Sequence, residues 1–267
     1  GARMIVVESG FTGTSYALTT PRIAAGAYTG TVAVSTEATG YEGVNALTGV
    51  TYTAWRPTAL PATWTLTFAS AAVSYVGIAA HDLYTKGATV NVQRWTGAAW
   101  STVASNTPTD NGPILFLLTR RTAQTTFRVQ ITGTTMPTIG VIWIGDVLEL
   151  PQKAVFRDSL PFDEGAEASY ATNISDGGHT LGRYMTRLQS TCSMTVNNFS
   201  ETWAAANIQT LAGWLRNGPV FMADRPSSYP KSVVFGETAD PLRAARAGRV
   251  LQAARAMTIE LKGYDPA

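Results

Sequence analysis

The feature that most constrains the fold is a series of short runs rich in β-branched and aromatic residues, spread from Thr31 to Leu150 and separated by turn formers. The clearest are Ser74–His81 (SYVGIAAH), Thr89–Trp95 (TVNVQRW), Thr126–Ile131 (TFRVQI) and Ile139–Leu150 (IGVIWIGDVLEL). Val90 and Val92 are spaced by two, as are Phe127, Val129 and Ile131. That period places apolar side chains on one face of a strand. Trp64, Leu66 and Phe68 repeat it, and shorter apolar runs at Met4–Val7 and Thr31–Ser35 precede them. Gly97-Ala-Ala-Trp100 predicts a hairpin turn, and Asp110-Asn-Gly-Pro113 a second turn. Pro57 and Pro61 keep the loop around them out of a central strand. No helical pattern of ordinary length interrupts this stretch, so the expected class is all-β, a sandwich.

After Pro151 the chain changes character. Residues 1–151 hold 8 Lys/Arg and 7 Asp/Glu, whereas the shorter segment 152–267 holds 12 and 11. Different charge densities imply different surfaces, and two domains are expected, 1–151 and 152–267. In the second, Ser193–Asn198 alternates again, and a single helix is predicted over about 200–217. Ser200 is a suitable N-cap and Glu201 suits the positive end of the helix dipole. Ala204, Ile208, Leu211 and Leu215 form one apolar stripe. Asn217-Gly218-Pro219 stops the helix, with Gly past the end and Pro beyond. Val220–Met222, Lys231–Phe235 and Met257–Lys262 are further strands, with a turn at Arg225–Pro230. The second segment is therefore mostly β with one helix.

Both segments have a net charge near zero, which argues against a nucleic-acid partner. Arg243, Arg246, Arg249 and Arg255 would form a basic stripe on a helix, but Asp240 and Glu260 flank it and no stacking aromatics accompany it. The lone Cys192 precludes an intrachain disulfide and reads as a small strand side chain. No basic leader and no run of about 20 apolar residues is present, so an intracellular product without membrane insertion is expected.

Catalytic chemistry finds little to work with. His81 and His179 are the only histidines, and neither accompanies a Gly-x-Ser-x-Gly elbow. His81 ends an apolar strand and reads as structural; His179 follows Asp176-Gly-Gly and reads as exposed. There is no His-Glu-x-x-His, paired cysteines or EF-hand loop, and the glycines lack phosphate-loop spacing. Asp163, Glu164 and Glu167 read as a solvated loop rather than an acid/base pair. No catalytic residue, metal ligand or cofactor is assigned, and the chain is not expected to be an enzyme. Carbohydrate binding needs exposed aromatic faces beside polar groups. Trp55, Arg56, Tyr84, Trp95 and Trp100 lie near expected loops and strand ends, and Trp55, Arg56, Tyr84 and Trp100 are the candidates. Trp64 and Trp143, at alternating strand positions, are assigned to the core.

Two parts of the chain resemble known families. Thr31–Trp55 (TVAVSTEATGYEGVNALTGVTYTAW) looks like the opening of a galactose-binding-like, discoidin-type jelly roll: a strand ending in Ser, a loop, Asn-Ala-Leu-x-Gly, then Thr and Trp. Thr48-Gly49 stands where that family tends to have Asp-Gly, which weakens any inherited ligand or calcium role. Residues 152–267 are similar to the β-rich domains of distal tail and tail-tip proteins of long-tailed bacteriophages. The carrying features are Thr191–Asn198, Phe199-Ser200 before a Trp-bearing helix, Gly218-Pro-Val-Phe221 and the Tyr229-Pro230 turn. The resemblance implies a virion structural part, made in the host cytoplasm. It would form a symmetric homo-oligomeric ring between tail tube and tip proteins, with peripheral contact to host glycans. The alternative is a lectin-like carbohydrate-binding module without an assembly role.

Overall fold

The computed structural model describes residues 4–12, 15–155, 166–238, 242–246 and 254–263. The first half of the chain supplies β1 (Met4–Val7), β2 (Arg22–Ala25), β3 (Gly30–Val34), a 3-10 turn (Gly43–Leu47), β4 (Ala62–His81), β5 (Thr89–Trp95), β6 (Trp100–Asn106), β7 (Ile114–Thr132), β8 (Ile139–Gly145) and β9 (Leu148–Glu149). The second supplies β10 (Ala154–Val155), β11 (Ala166–Ile174), β12 (Thr180–Ser200), α1 (Glu201–Asn217), β13 (Val220–Ala223), β14 (Val233–Thr238), β15 (Arg243–Arg246) and β16 (Ala254–Gly263). The expected class holds: the described residues are mostly β with one long helix.

Two very long strands, β4 and β7, pair antiparallel along their lengths, but the register slips at Thr67, Ala71 and Val73. Such irregularities bend a ribbon and increase its twist. On one side of the bend, β3, β4, β7, β5 and β6 form the front sheet; on the other, β8 and β1 join the far ends of β4 and β7. The inward faces meet in one core: Trp64, Leu66, Phe127 and Val129 from the front pack with Val76, Ile78, Ile142 and Phe116 from the far side. The sheet thus folds on itself into a sandwich.

The far, or middle, sheet is covered on both faces. Ile114, Phe116, Ile142 and Ile144 enter the sandwich core, while the intervening Leu115, Leu117, Val141 and Trp143 enter a second core. Burial of both faces is why β8 is an unbroken apolar run buried at every residue. The second core belongs equally to the other half of the chain, through Phe221, Ala223, Val233 and Phe235. Those residues lie on the back sheet, ordered β10-β12-β16-β14-β13-β2-β9. Its outer face, carrying Met194, Val196, Met222, Ile259 and Leu261, packs under α1 through Trp203, Ala204, Leu211 and Leu215. The layers are therefore front sheet, middle sheet, back sheet and helix.

The expected boundary at Pro151 does not separate two independent units. β2, from the first half, pairs with β13 at one edge and β9 at the other, inside the back sheet. Arg22 anchors that excursion: its guanidinium is fully buried and donates to the Tyr16, Ala17, Thr20 and Pro21 carbonyls and to Thr20 Oγ1. Ser200 caps α1 by accepting from Trp203 N–H, as its sequence position predicts. Gly218 does not take the left-handed turn usual at such ends; its backbone is extended (φ 162°), and Pro219, lacking an N–H, follows. The segment Arg243–Arg246 is a strand against β16 rather than a helix. Arg249 lies outside the described residues, as do Asp163 and Glu164. Among the described residues no helix is long and apolar enough to cross a membrane.

Candidate functional site

The stretch from Thr31 to Trp55 and the sheet under it are built around indoles. Trp55, Trp64 and Trp143 are buried, and each donates its ring N–H to a backbone carbonyl of the 36–47 loop: Thr36, Gly43 and Leu47 respectively, at 3.1, 2.7 and 3.0 Å. Gly49 sits in the left-handed region (φ +80°), where a Cβ would stand 2.6 Å from the Trp143 ring. The Asn-Ala-Leu-Thr-Gly stretch therefore clamps the sandwich. Trp55 is fully buried, so its faces are closed to a sugar, and its candidacy is withdrawn. The reason is local: Trp55 and Ile139 form a reciprocal backbone bridge that draws the loop onto the sheet end.

The other expected binding residues are exposed or half-buried but are not brought together. Arg56 is exposed beside that bridge. Tyr84, 54% exposed, sits in the turn before β5, its N–H donating to Asn111 Oδ1 at 3.1 Å. Trp100 stands at the opposite end of the β5–β6 hairpin, paired with Trp95. At about 3.3 Å per residue, the seven residues of β5 separate Tyr84 from that end by roughly 20 Å.

Around Trp100 a different cluster appears on the outer, solvent face of the front sheet. Trp95 is 39% exposed and tilts against Trp100, with ring centroids 5.3 Å apart. The Arg128 guanidinium lies over Trp100, 4.2 Å from its centroid. Gln93 holds it there: its Oε1 accepts from Arg128 Nε at 2.5 Å, while its Nε2 donates to Thr102 Oγ1 and Gln130 Oε1. Partial burial holds the Arg128 pKa below the ordinary arginine value, yet the group is cationic at any working pH. Arg128 and Gln93 were not singled out by sequence; the signal was the alternation in Thr126–Ile131, which puts Arg128 and Gln130 opposite the core residues.

A concavity of about 610 Å³ lies between Thr48–Tyr52 of the sandwich, the end of α1 at Asn217–Pro219, and Phe235–Thr238 and Lys262–Gly263 of the back sheet. A third feature is a surface. Over Thr180–Gln189, β12 pairs only with β11 among the described strands, forming a two-stranded ribbon over residues 166–189. Tyr170, Ile174, Leu181, Tyr184 and Met185 on it are each about half exposed or more, from 49% to 70%. His179 lies exposed at the ribbon tip, where Gly178 takes φ +81°.

His81 is buried, and desolvation, partly offset by the Gly112 backbone, pushes its imidazole down to about 4. The two histidines thus stand in unrelated places. Among the described residues, no group of three or more His, Cys, Asp or Glu could hold a metal ion.

No protein-family model matches the chain, and no curated protein matches it. Solved structures do align. Chitosan-binding module 1 of a chitosanase/glucanase from Paenibacillus sp. IK-5 is 24% identical, covering 45% of this chain and 97% of its own, with a TM-score of 0.38. A fucose-binding module of Streptococcus pneumoniae is 11% identical over 45% of this chain and 92% of its own, with a TM-score of 0.37. A truncated AlyQ with CBM32 and alginate lyase domains is 12% identical over 88% of this chain and 77% of its own, with a TM-score of 0.38. The ligands named for these proteins are properties of those proteins.

Proposed function

We propose that the chain is a structural part of the tail tip or baseplate of a long-tailed bacteriophage, joining copies of itself into a symmetric ring between tail tube and tip proteins. The observation that carries this reading is the β11–β12 ribbon. A two-stranded ribbon is marginal in water by itself. Here it also exposes two aromatic and three aliphatic or thioether side chains, and among the described residues no third strand pairs with it over 166–189, which are the traits of a surface awaiting another chain. Support comes too from the features by which the second half resembles distal tail proteins. They fall on one continuous unit: the capped helix α1, the Gly218–Phe221 entry into β13 and the Tyr229-Pro230 turn before β14. In this reading the protein is made in the host cytoplasm and acts in the virion.

The test is solution mass by light scattering together with negative-stain images, for the chain alone and with tail-tube or hub protein. Rings are expected in at least one of these. A variant carrying Leu181→Ser and Tyr184→Ser should fold with an unchanged melting temperature and form none. A monomer at every concentration, alone and with those partners, would overturn the proposal.

A second reading, glycan contact by the sandwich, is favoured by the Trp95–Trp100–Arg128 cluster on the solvent face. It is compatible with the first, since a tail-tip part can also touch the host surface. A blank glycan array with folded protein would sink it.

A further inference from the structure

The outer face of the front sheet is polar, and its strands carry no acid. Thr65, Arg128, Gln93 and Thr102 lie in one row across four neighbouring strands, and Trp95 and Trp100 stand in the next. None of β3, β4, β5, β6 or β7 contains a single Asp or Glu. Arg94 pairs with Phe127 and so faces the other way, while Arg120 and Arg121 are bound to Asp146 and Glu8. Arg128 is thus the cation that this face presents, with no carboxylate on the same strands to neutralise it.

The way Arg128 is held matters as much as its charge. Trp100 fixes the plane of the guanidinium and Gln93 takes its Nε–H, so the fork is oriented before any ligand arrives. Its two terminal amino groups have no hydrogen-bond partner among the described residues. A planar fork with two parallel N–H donors matches a carboxylate bidentately, which an ammonium cannot do. Trp95 beside it offers an exposed ring for the C–H face of a sugar, and Thr102 and Gln130 beside the buried Gln93 offer a hydroxyl and an amide. Five strands at about 4.8 Å spacing make a platform roughly 19 Å across, the form suited to an extended chain rather than a terminal sugar in a closed pocket.

We propose that this face binds a linear acidic polysaccharide, with Arg128 clasping the carboxylate of a uronate residue and Trp95 stacking against a sugar ring. The inference rests on the glycan-contact reading of the sandwich and is independent of ring assembly.

The full-length chain is tested by affinity electrophoresis and calorimetry against polygalacturonate, alginate and hyaluronan, with methyl-esterified polygalacturonate, a neutral glucan and dextran sulfate beside them. Binding to at least one uronate polymer is expected, weakened about tenfold or more when its carboxylates are esterified, as for a lost charge-assisted pair. Arg128→Gln should weaken uronate binding by about the same factor. Arg128→Lys should also weaken it, because charge is kept and the fork is lost. Trp95→Ala should weaken binding to esterified and free polymer alike. Lys231→Gln, an exposed cation on the other half of the chain, should change nothing. Melting curves establish that each variant is folded. Equal binding of dextran sulfate and uronate, or unaltered uronate binding by folded Arg128→Gln, would overturn the carboxylate clasp while leaving glycan contact standing. No binding to any glycan would overturn both.

Discussion

His81 and Asp224 are both buried, and burial moves them in opposite senses. Desolvation lowers His81 from 6.5 to about 4. Desolvation raises Asp224 from 3.8 to about 6, and its ion pair with Arg225 offsets only part of that. Below pH 6.5 the unfolded chain protonates its histidine while the fold does not, so stability falls by about 1.4 kcal/mol per pH unit down to pH 4. For Asp224 the fold takes up the proton first, so stability rises by a similar slope from about pH 6 down to 3.8. Between pH 6 and 4 the two cancel. His81→Gln should therefore make the chain gain stability on acidification across that window, and Asp224→Asn should make it lose stability. Urea denaturation midpoints as a function of pH check both. At this scale the sequence is readable where alternation is unbroken, as at Trp64; Trp143 is also a core residue, in a strand that is apolar on both faces. Trp55 was harder, because two prolines and a polar loop surround it, and only the distant Thr36 carbonyl and Ile139 bridge account for its burial. Arg128 stood in plain alternation, but its value comes from Gln93 and Trp100 on other strands.

Elements show where close approach replaces pattern. In β4, Gly77 faces Phe221 of the back sheet, and a Cβ there would stand 2.5 Å from the ring. Gly77→Ala should destabilise the fold by about 1–3 kcal/mol, the cost of overpacking a well-filled core, as measured by chemical denaturation. The exposed ribbon should behave in the opposite way. If copies assemble through the ribbon as proposed, amides of residues 170–185 should exchange with deuterium fast in the monomer and slowly in the assembly. The helix, the β5–β6 hairpin and the last strand were legible because each carries a local signal: a cap with an apolar stripe, a Gly-bearing turn, a strict period of two. β4 reads from sequence as two strands because Ala69–Ala72 breaks the period; the irregular pairing there keeps it one strand while bending it. The first half of β7 went unread, since Ile114–Leu118 is apolar at every position and a two-sided burial leaves no period. β2 is four residues long and opens with a buried arginine, so nothing local announces it.

For the whole molecule, the middle sheet is the shared wall of two cores. Trp143 meets Phe221 edge-on at 5.8 Å and Phe235 at 5.4 Å, across what composition marks as a domain boundary. Shared burial predicts a single unfolding transition, in which indole fluorescence, backbone circular dichroism and calorimetry trace coincident curves. Two resolved transitions would show the halves to be separable. The charge shift at Pro151 led to an expectation of two domains, whereas β2 and the second core join the two segments. Charge density was silent on the apolar wall between them. β2 adds a consequence in time. Its main partner, Val220–Ala223, follows it by about 200 residues, so at a ribosome's roughly 5–20 residues per second the strand waits some 10–40 s for it. The sandwich can close on the nascent chain during that interval, with Arg22 and its carbonyls holding the strand in a loop. Synthesis of the N-terminal portion thus prepares one edge of a sheet whose centre has not yet been made.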